Sequence, residues 1–469
     1  MNLESNFSTS SIYFKQNYQL IGNIPILKKS EKPYLHIGKV STFGFHIFSY
    51  TYMTSEIISI GDELLIGQVI NTNSSWMAKA LNESGVDVRQ ITSVSDTAEE
   101  IIRAIREAEE RADLILITGG LGPTHDDITK DILCEYFHTE LVEDEKVLEN
   151  IYGFFHRKGL ALTELNRKQA LVPKGCTVVD NPMGTAPGLA FHKNSKLFVA
   201  MPGVPYEMKH IMQTFVLPWV QNNYPGNIIL HKTIMTQGIG ESFLAANIAE
   251  WVDRLPPQIK LAYLPSPGTV RLRLSIKGNN RDDITRLLDS EVEKLMKLIP
   301  EYFWGFDDEK LEAVVGKMLK EQGKSICTAE SCTGGYIAHR ITGVPGSSGW
   351  FKGSVVAYDN TVKEELLKVP GEMIERFGAV SREVVEKMAL EACKLMHTDY
   401  AVSVSGIAGP DGGTPEKPVG TVWIAIAGPD ILVSKKFLFG DERDRNIVRA
   451  GTAALGFFRS VLLQKEGAG

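Results

Sequence analysis

Hydrophobic and polar positions along this chain alternate between two periods. Glu56-Ile57-Ile58-Ser59-Ile60 is a short apolar run suited to a buried strand, and Asn71–Ser84 carries its apolar residues at helical spacing. A second strand is expected over Val86–Val94, a charged amphipathic helix over Ala98–Arg111, and a strongly apolar strand over Asp113–Thr118. Strands alternating with helices of this length predict a parallel, doubly wound sheet whose ligand loops follow the carboxyl ends of the strands. Near residue 225 the rhythm changes to strand, helix, strand, strand, helix: Ile228–Met235, Ser242–Asp253, Lys260–Leu264, Val270–Lys277 and Arg281–Leu298. Asp307-Asp308 is read as the start of a further helix. Beyond it the strands Ser354–Tyr358, Tyr400–Ser405, Gly420–Ala427 and Ile431–Phe439 combine with helices at Arg382–Met396 and Arg445–Leu463. The expected fold is α/β, with two α/β domains of mostly parallel sheet (54–224 and 303–469) joined by a small α+β module (225–302). Residues 1–53 show no sustained period. They are read as a disordered extension, or as a start placed too far upstream with Met53 as the initiator.

Composition narrows the class of function. A chain of 469 residues exceeds one ordinary core, and 43% hydrophobic with 23% charged residues is the balance of a globular protein. The net charge of −7 argues against a basic nucleic-acid footprint. Nothing resembles an apolar membrane span. Five scattered cysteines suggest reduced thiols in a cytoplasm, and none has zinc spacing.

Candidate chemistry concentrates in loops that follow predicted strands. In the C-terminal half, Thr328-Ala329-Glu330-Ser331-Cys332-Thr333-Gly334-Gly335 lies between the strand Lys324–Cys327 and a helix opening at Tyr336. A serine at such a turn, beside the free amides of a helix N-terminus, has the setting of an acyl-transfer nucleophile; it is equally an N-cap. The candidate base is Lys363, in Tyr358-Asp359-Asn360-Thr361-Val362-Lys363, where desolvation near a helix N-terminus would depress its pKa and Tyr358 would assist. The alternative is a solvated surface lysine. Ser403–Thr414 packs many amides into one loop (Ser405, Gly406, Gly409, Gly412, Gly413), as an anion cradle requires. Gly346-Ser347 forms another small-residue loop, and Arg443 and Arg445 open a late helix where a guanidinium would clamp phosphate. In the N-terminal half the rich loops are Gly61–Gly67 and Thr118–Asp127.

TAESCTGG, VPGSSGWF, VVAYDNTVK, SVSGIAGPDGGT and FGDERDR, in order over the last third of the chain, closely resemble the C-terminal domain of the CinA (competence/damage-inducible protein A) family. That resemblance implies a nicotinamide-mononucleotide amidohydrolase without a cofactor. Ser331 would be the nucleophile, Lys363 the base and Tyr358 its assistant, with the amides of Cys332, Thr333 and Gly334 receiving the oxyanion. The Ser405–Gly413 loop and either Arg443 or Arg445 would bind the phosphate. Family members usually carry Gly-Asp-Arg, whereas Glu442 intervenes here.

SIGDELLIGQVINTNS, ITGGLGPTHDDIT, NPMGTAPG and MPGVPYEM similarly look like the molybdopterin-biosynthesis-type domain that begins full-length members. The likeness implies an ADP-ribose pyrophosphatase with a divalent metal. Gly119, Gly120 and Gly122, with Pro123 and Thr124, would cradle pyrophosphate, while Asp126 and Asp127 would hold Mg²⁺ beside Asp62 and Glu63. Asp126-Asp127 also reads as an ordinary acidic helix start. The same fold binds pterin without hydrolysis, so a competence- or damage-linked regulator, or a molybdopterin-binding protein with inactive sites, stays open. Partners implied are small nucleotides and a second copy in a homodimer, with neither nucleic acid nor membrane.

Overall fold

A computed structural model describes residues 52–466, so all but the last two residues of the 1–53 segment lie outside the described residues. Met53 itself is core, 1% exposed. The first sheet is built from β1 (Thr54–Ile60), β2 (Asp87–Val94), β3 (Leu114–Thr118), β6 (Thr177–Val179), β7 (Gly188–Lys193) and β8 (Lys196–Met201), with β4 (Leu141–Glu143) and β5 (Leu171–Pro173) forming a separate ribbon. Its order is β2-β1-β3-β8-β7-β6. The pairs β1–β2, β1–β3 and β3–β8 are parallel; β7 and β6 add antiparallel at one side. Side chains of a strand alternate between faces, and here both faces are covered. Ile58 and Ile60 pack with Ile101 and Ile105 of the helix Ala98–Arg111, whereas Ile57 packs with Met77, Leu81 and Met208 on the opposite face. That is why β3, Leu-Ile-Leu-Ile-Thr, is buried at every position.

The middle sheet is antiparallel: β9 (Ile228–Gln237), β10 (Ile259–Ser266), β11 (Thr269–Gly278) and β12 (Phe303–Phe306), in the order β10-β11-β9-β12. The helices Glu241–Asp253 and Arg281–Leu298 bury Leu244, Ile248, Leu288 and Leu295 against it. β12 pairs with β9, and Asp307 then turns out of the sheet at φ 52°, a left-handed position that Asp tolerates. Its carboxylate accepts the Thr233 amide (2.8 Å) and the Lys232 ammonium (3.0 Å). Asp307 and Asp308 therefore do not open a helix; the next one begins at Leu311.

The third sheet comprises β13 (Ile326–Glu330), β14 (Phe351–Val356), β15 (Tyr400–Gly406), β16 (Thr421–Gly428) and β17 (Ile431–Leu438), in the order β14-β13-β15-β16-β17. β14, β13 and β15 are parallel, and β16 and β17 extend the sheet antiparallel. The long helix Arg443–Glu466 lays Ala450, Ala454, Leu455, Phe458 and Leu462 against Val315, Leu319 and Ile337 of neighbouring helices and Ile326 and Val402 of the sheet. Among the described residues no helix is long and apolar enough to cross a membrane.

Candidate functional site

Three parallel strands end side by side in the third sheet. β13 pairs Glu330 with Val356 of β14 and with Val404 of β15, so the segments that follow meet at one carboxyl edge. The Ser331 amide donates to Val404 O (2.9 Å) and the Ala357 amide to Glu330 O (2.8 Å), which ties the loops together. Ser331 is only 8% exposed, and its hydroxyl has no hydrogen-bond partner among the described residues.

Asp359 caps the short helix Asn360–Glu365 by accepting from the Thr361 amide, and that cap sets the direction of Lys363. The Lys363 side chain folds back into the protein, 1% exposed, and its ammonium donates to the carbonyls of Tyr358 (3.1 Å) and Asp359 (3.5 Å). Among the described residues no carboxylate pairs with it. Burial pushes its pKa down against the weaker opposing charge of Asp359. Lys363 is thus no solvated surface lysine.

Arg443, the first residue of the long helix, bridges two of the loops: it donates to Gly409 O and to the Tyr358 hydroxyl, each at 2.9 Å. Arg445 pairs instead with Glu442 at 3.0 Å in solvent. Of the two arginines, Arg443 is the one brought to this edge. Asn446 fixes the approach, donating to Ala408 O and Gly440 O. Cys332 marks where the groups converge. Lys363 and Arg443 both act to lower its thiol pKa, yet burial outweighs them and pushes it up to about 12. Its sulfur fills the space beside Gly406, where an added Cβ would lie 3.0 Å from Sγ.

The remaining expectations divide. The Ser405 hydroxyl is used internally, donating to Ala379 O (2.7 Å), while Gly409 and Gly412 carry the positive φ of 91° and 90° that the anion loop needs. Gly413 packs against the Val419 amide in the same loop. The Gly334 amide donates to Ser331 O, so it is not free for an oxyanion. Gly346 and Ser347 are a correction. They precede β14, near Lys320, and the neighbouring Trp350 O receives the Ile326 amide at the start of β13. The turn therefore lies at the amino edge of the parallel strands, across the sheet from Ser331, because the helix Tyr336–Thr342 carries the chain away before β14 returns it.

At the corresponding edge of the first sheet lies a cavity of about 340 Å³, lined by Gly61, Glu63, Gly119, Gly120, Gly122, Pro123, Asp126 and Asp127. Gly119 and Gly120 have positive φ (111° and 67°), and an added Cβ would strike Ile60 O at 2.3 Å and Thr129 Oγ1 at 2.2 Å. Asp127 is turned back on its own loop, accepting from the Thr124 amide and hydroxyl. Asp126 also bonds the Thr124 side chain, and its charge adds to the field around Asp96, whose carboxylate accepts the Asp62 amide. Burial, followed by the charges of Asp62, Glu63 and Asp126, holds the Asp96 carboxyl above its usual range. Among the described residues no three His, Cys, Asp or Glu side chains group closely enough to hold a metal by themselves.

Comparison with known proteins bears on both edges. The chain matches the CinA C-terminal domain over residues 308–462, the probable molybdopterin binding domain over 56–222, and the damage-inducible protein CinA KH domain over 231–305. A CinA-like protein of Cytophaga hutchinsonii is 45% identical over 412 residues, covering 88% of this chain and 99% of the relative. The chain belongs to the CinA family. A CinA-like protein of Flavobacterium psychrophilum shares 45% identity across 88% of this chain and 99% of its own length. A crystal structure of the protein CinA with unknown function, from Thermoplasma acidophilum, is 36% identical over 35% of this chain and 96% of that one, with a TM-score of 0.33.

Residue-by-residue reading of this CinA-family chain missed several groups. Glu330 is fully buried at the end of β13, and its carboxylate accepts from the hydroxyls of Thr328 (3.3 Å) and Thr333 (2.7 Å) and from the amides of Gly335 (3.1 Å), Ile337 (3.0 Å) and Ala338 (2.8 Å). The amides of the following helix are therefore already occupied and do not await a substrate. Cys332 and Thr333 keep theirs free of backbone acceptors among the described residues. In the first domain, Glu207 lines the cavity from the first turn of the helix Pro205–Ile211; burial raises its carboxyl pKa despite a 2.6 Å bond from Asn181. Gln169 also lines it, 2% exposed, with Oε1 buried and unpartnered. Its backbone is held by the buried Lys130, whose pKa desolvation pushes down to about 8. The signal for Glu330 was local, a Glu next to the candidate serine; Glu207 lies within MPGVPYEM without being singled out, and Gln169 gave none.

Proposed function

We propose that the C-terminal site is a serine amidohydrolase acting on nicotinamide mononucleotide. The observation that carries this reading is Lys363, buried without a carboxylate at the same edge as Ser331, with its ammonium form disfavoured by burial. A neutral amine there takes the Ser331 proton as Oγ attacks the carboxamide carbon. The developing oxyanion is received by the amides of Cys332 and Thr333. Collapse of the tetrahedral adduct breaks the C–N bond, and the proton held by Lys363 leaves with ammonia. Water, activated by the same amine, then cleaves the acyl ester and releases nicotinate mononucleotide. Tyr358, hydrogen-bonded to Arg443, borders the substrate, and Arg443 with the Gly409–Gly413 loop supplies the phosphate contacts. The choice of substrate follows from the family resemblance. Ammonia release from nicotinamide mononucleotide by the full chain, lost in Ser331→Ala, tests it; release that survives the substitution ends it.

A second reading is favoured by the glycine-walled cavity of the first sheet: hydrolysis of ADP-ribose with a divalent metal. The donors present fit an ion held by Asp126 and completed by ligand phosphates, the style Mg²⁺ prefers, and such an ion would polarise the pyrophosphate. A regulatory or pterin-binding protein with inactive sites would yield neither product. The reading carries with it a cytoplasmic homodimer.

A further inference from the structure

A cleft of about 1110 Å³ separates the middle module from the C-terminal domain, more than three times the 340 Å³ of the first-sheet cavity. Ligand sites favour such junctions between domains, and this one contains neither candidate chemistry. Its C-terminal wall is aromatic and cationic. Phe437 and Phe439 present near-parallel rings, 17° apart with centroids at 5.8 Å, and the Lys435 ammonium stands 5.4 Å from the Phe437 ring. Arg449, from the long helix, extends along Gly440, where an added Cβ would lie 3.2 Å from its Nη1. It has no hydrogen-bond or carboxylate partner among the described residues. The opposite wall supplies Tyr302 and the Gln237 amide, whose Oε1 is buried and unpartnered, with Glu241 and Glu301 keeping negative charge to that side. Flat rings beside an unpaired guanidinium suit a flat heterocycle that carries a phosphate.

The wall is also mechanically connected. The helix that presents Arg449 and Thr452 to the cleft begins with Arg443 and Asn446 at the Ser331 edge. Thr452 Oγ1 accepts from Arg340 at 3.0 Å, and Gly451 packs on Tyr336, both on the helix that follows the Ser331 loop. A ligand drawn to Arg449 pulls on the rod that carries the phosphate-binding arginine.

We propose that this cleft is an effector site for a nucleoside monophosphate, read through the helix Arg443–Glu466. The binding half is independent of the amidase reading; the coupling half rests on it. Titration calorimetry of AMP into the full chain should show a saturable component that Arg449→Ala and Phe437→Ala each weaken by about tenfold or more. Arg449 and Phe437 are partly buried, and Phe437 packs on the core, so thermal midpoints are measured alongside; Lys435→Glu, at an exposed position, should weaken binding through charge alone with the midpoint near wild type. AMP should also change ammonia release from nicotinamide mononucleotide about twofold or more in wild type and not in Phe437→Ala. No AMP binding, or binding indifferent to all three substitutions, overturns the site. Binding that leaves ammonia release unchanged overturns the effector role. If wild type releases no ammonia, the amidase reading fails while the calorimetric result on the cleft still stands.

Discussion

The two candidate sites occupy the same position in two sheets, the carboxyl ends of parallel strands, and handle charge in opposite ways. At the C-terminal edge charge is suppressed or already used. Lys363 is buried among carbonyls, Cys332 stays a thiol, and the buried Glu330 carboxylate is saturated by the loop it follows. At the N-terminal edge charge is crowded: burial first, and then the charges of Asp62, Glu63 and Asp126, raise the Asp96 pKa, around glycines that leave the backbone bare. The first arrangement suits moving one proton with fixed groups. The second suits an anion arriving with a cation. A fold shared between domains therefore predicts where chemistry sits and says little about what it is.

The comparison is most vulnerable at Lys363. Lys363→Met should lower kcat for ammonia release by about 10³-fold while KM moves little, because a general base contributes about 10²–10⁴-fold; ADP-ribose turnover should be untouched. Next comes Glu330→Gln. The substituted amide cannot satisfy the same donors with two anionic oxygens, so kcat should fall about 10–100-fold and urea unfolding should show a loss of about 1–3 kcal/mol. Gly120→Ala reverses the pattern. At φ 67°, with Thr129 in the way, it should cost about 1–3 kcal/mol and abolish ADP-ribose hydrolysis while sparing ammonia release. The smallest effect is at Cys332. With a pKa near 12, only about one thiol in 10⁴ is ionised at pH 8, so iodoacetamide should leave ammonia release within about twofold of untreated protein.

The central strands β1, β3 and β15 were legible from their apolar cores, whereas β13 runs on to Glu330, three residues past the expected Lys324–Cys327, because Thr328 and Glu330 are polar yet buried. Ser331 was legible because it follows a buried strand, and Tyr358 and Lys363 because they follow the edge strand β14 at the same end of the sheet. What the sequence left open was set by direction and distance. Gly346 and Ser347 have the composition of a site loop, but a helix separates them from the Ser331 edge. Arg443 and Arg445 differ by two helical positions, which the structure resolves by pairing Arg445 with Glu442. Asp307 looked like a helix start because acidic residues favour that place, yet its carboxylate binds the edge of β9. Gln169, in the 3-10 turn Lys168–Ala170, and Glu207, in the helix Pro205–Ile211, reach their cavity from far along the chain, and no local pattern encodes that meeting.

The most direct measurement is the pH dependence of ammonia release from nicotinamide mononucleotide. Lys363 acts as base only when neutral, and its pKa is depressed by burial. As pH rises through that depressed value the amine loses its proton, so the rate should climb along a single limb. It should reach its plateau below the ordinary lysine value of about 10.4. A rate that keeps rising beyond that value, or a limb that persists unchanged in Lys363→Met, would contradict the account.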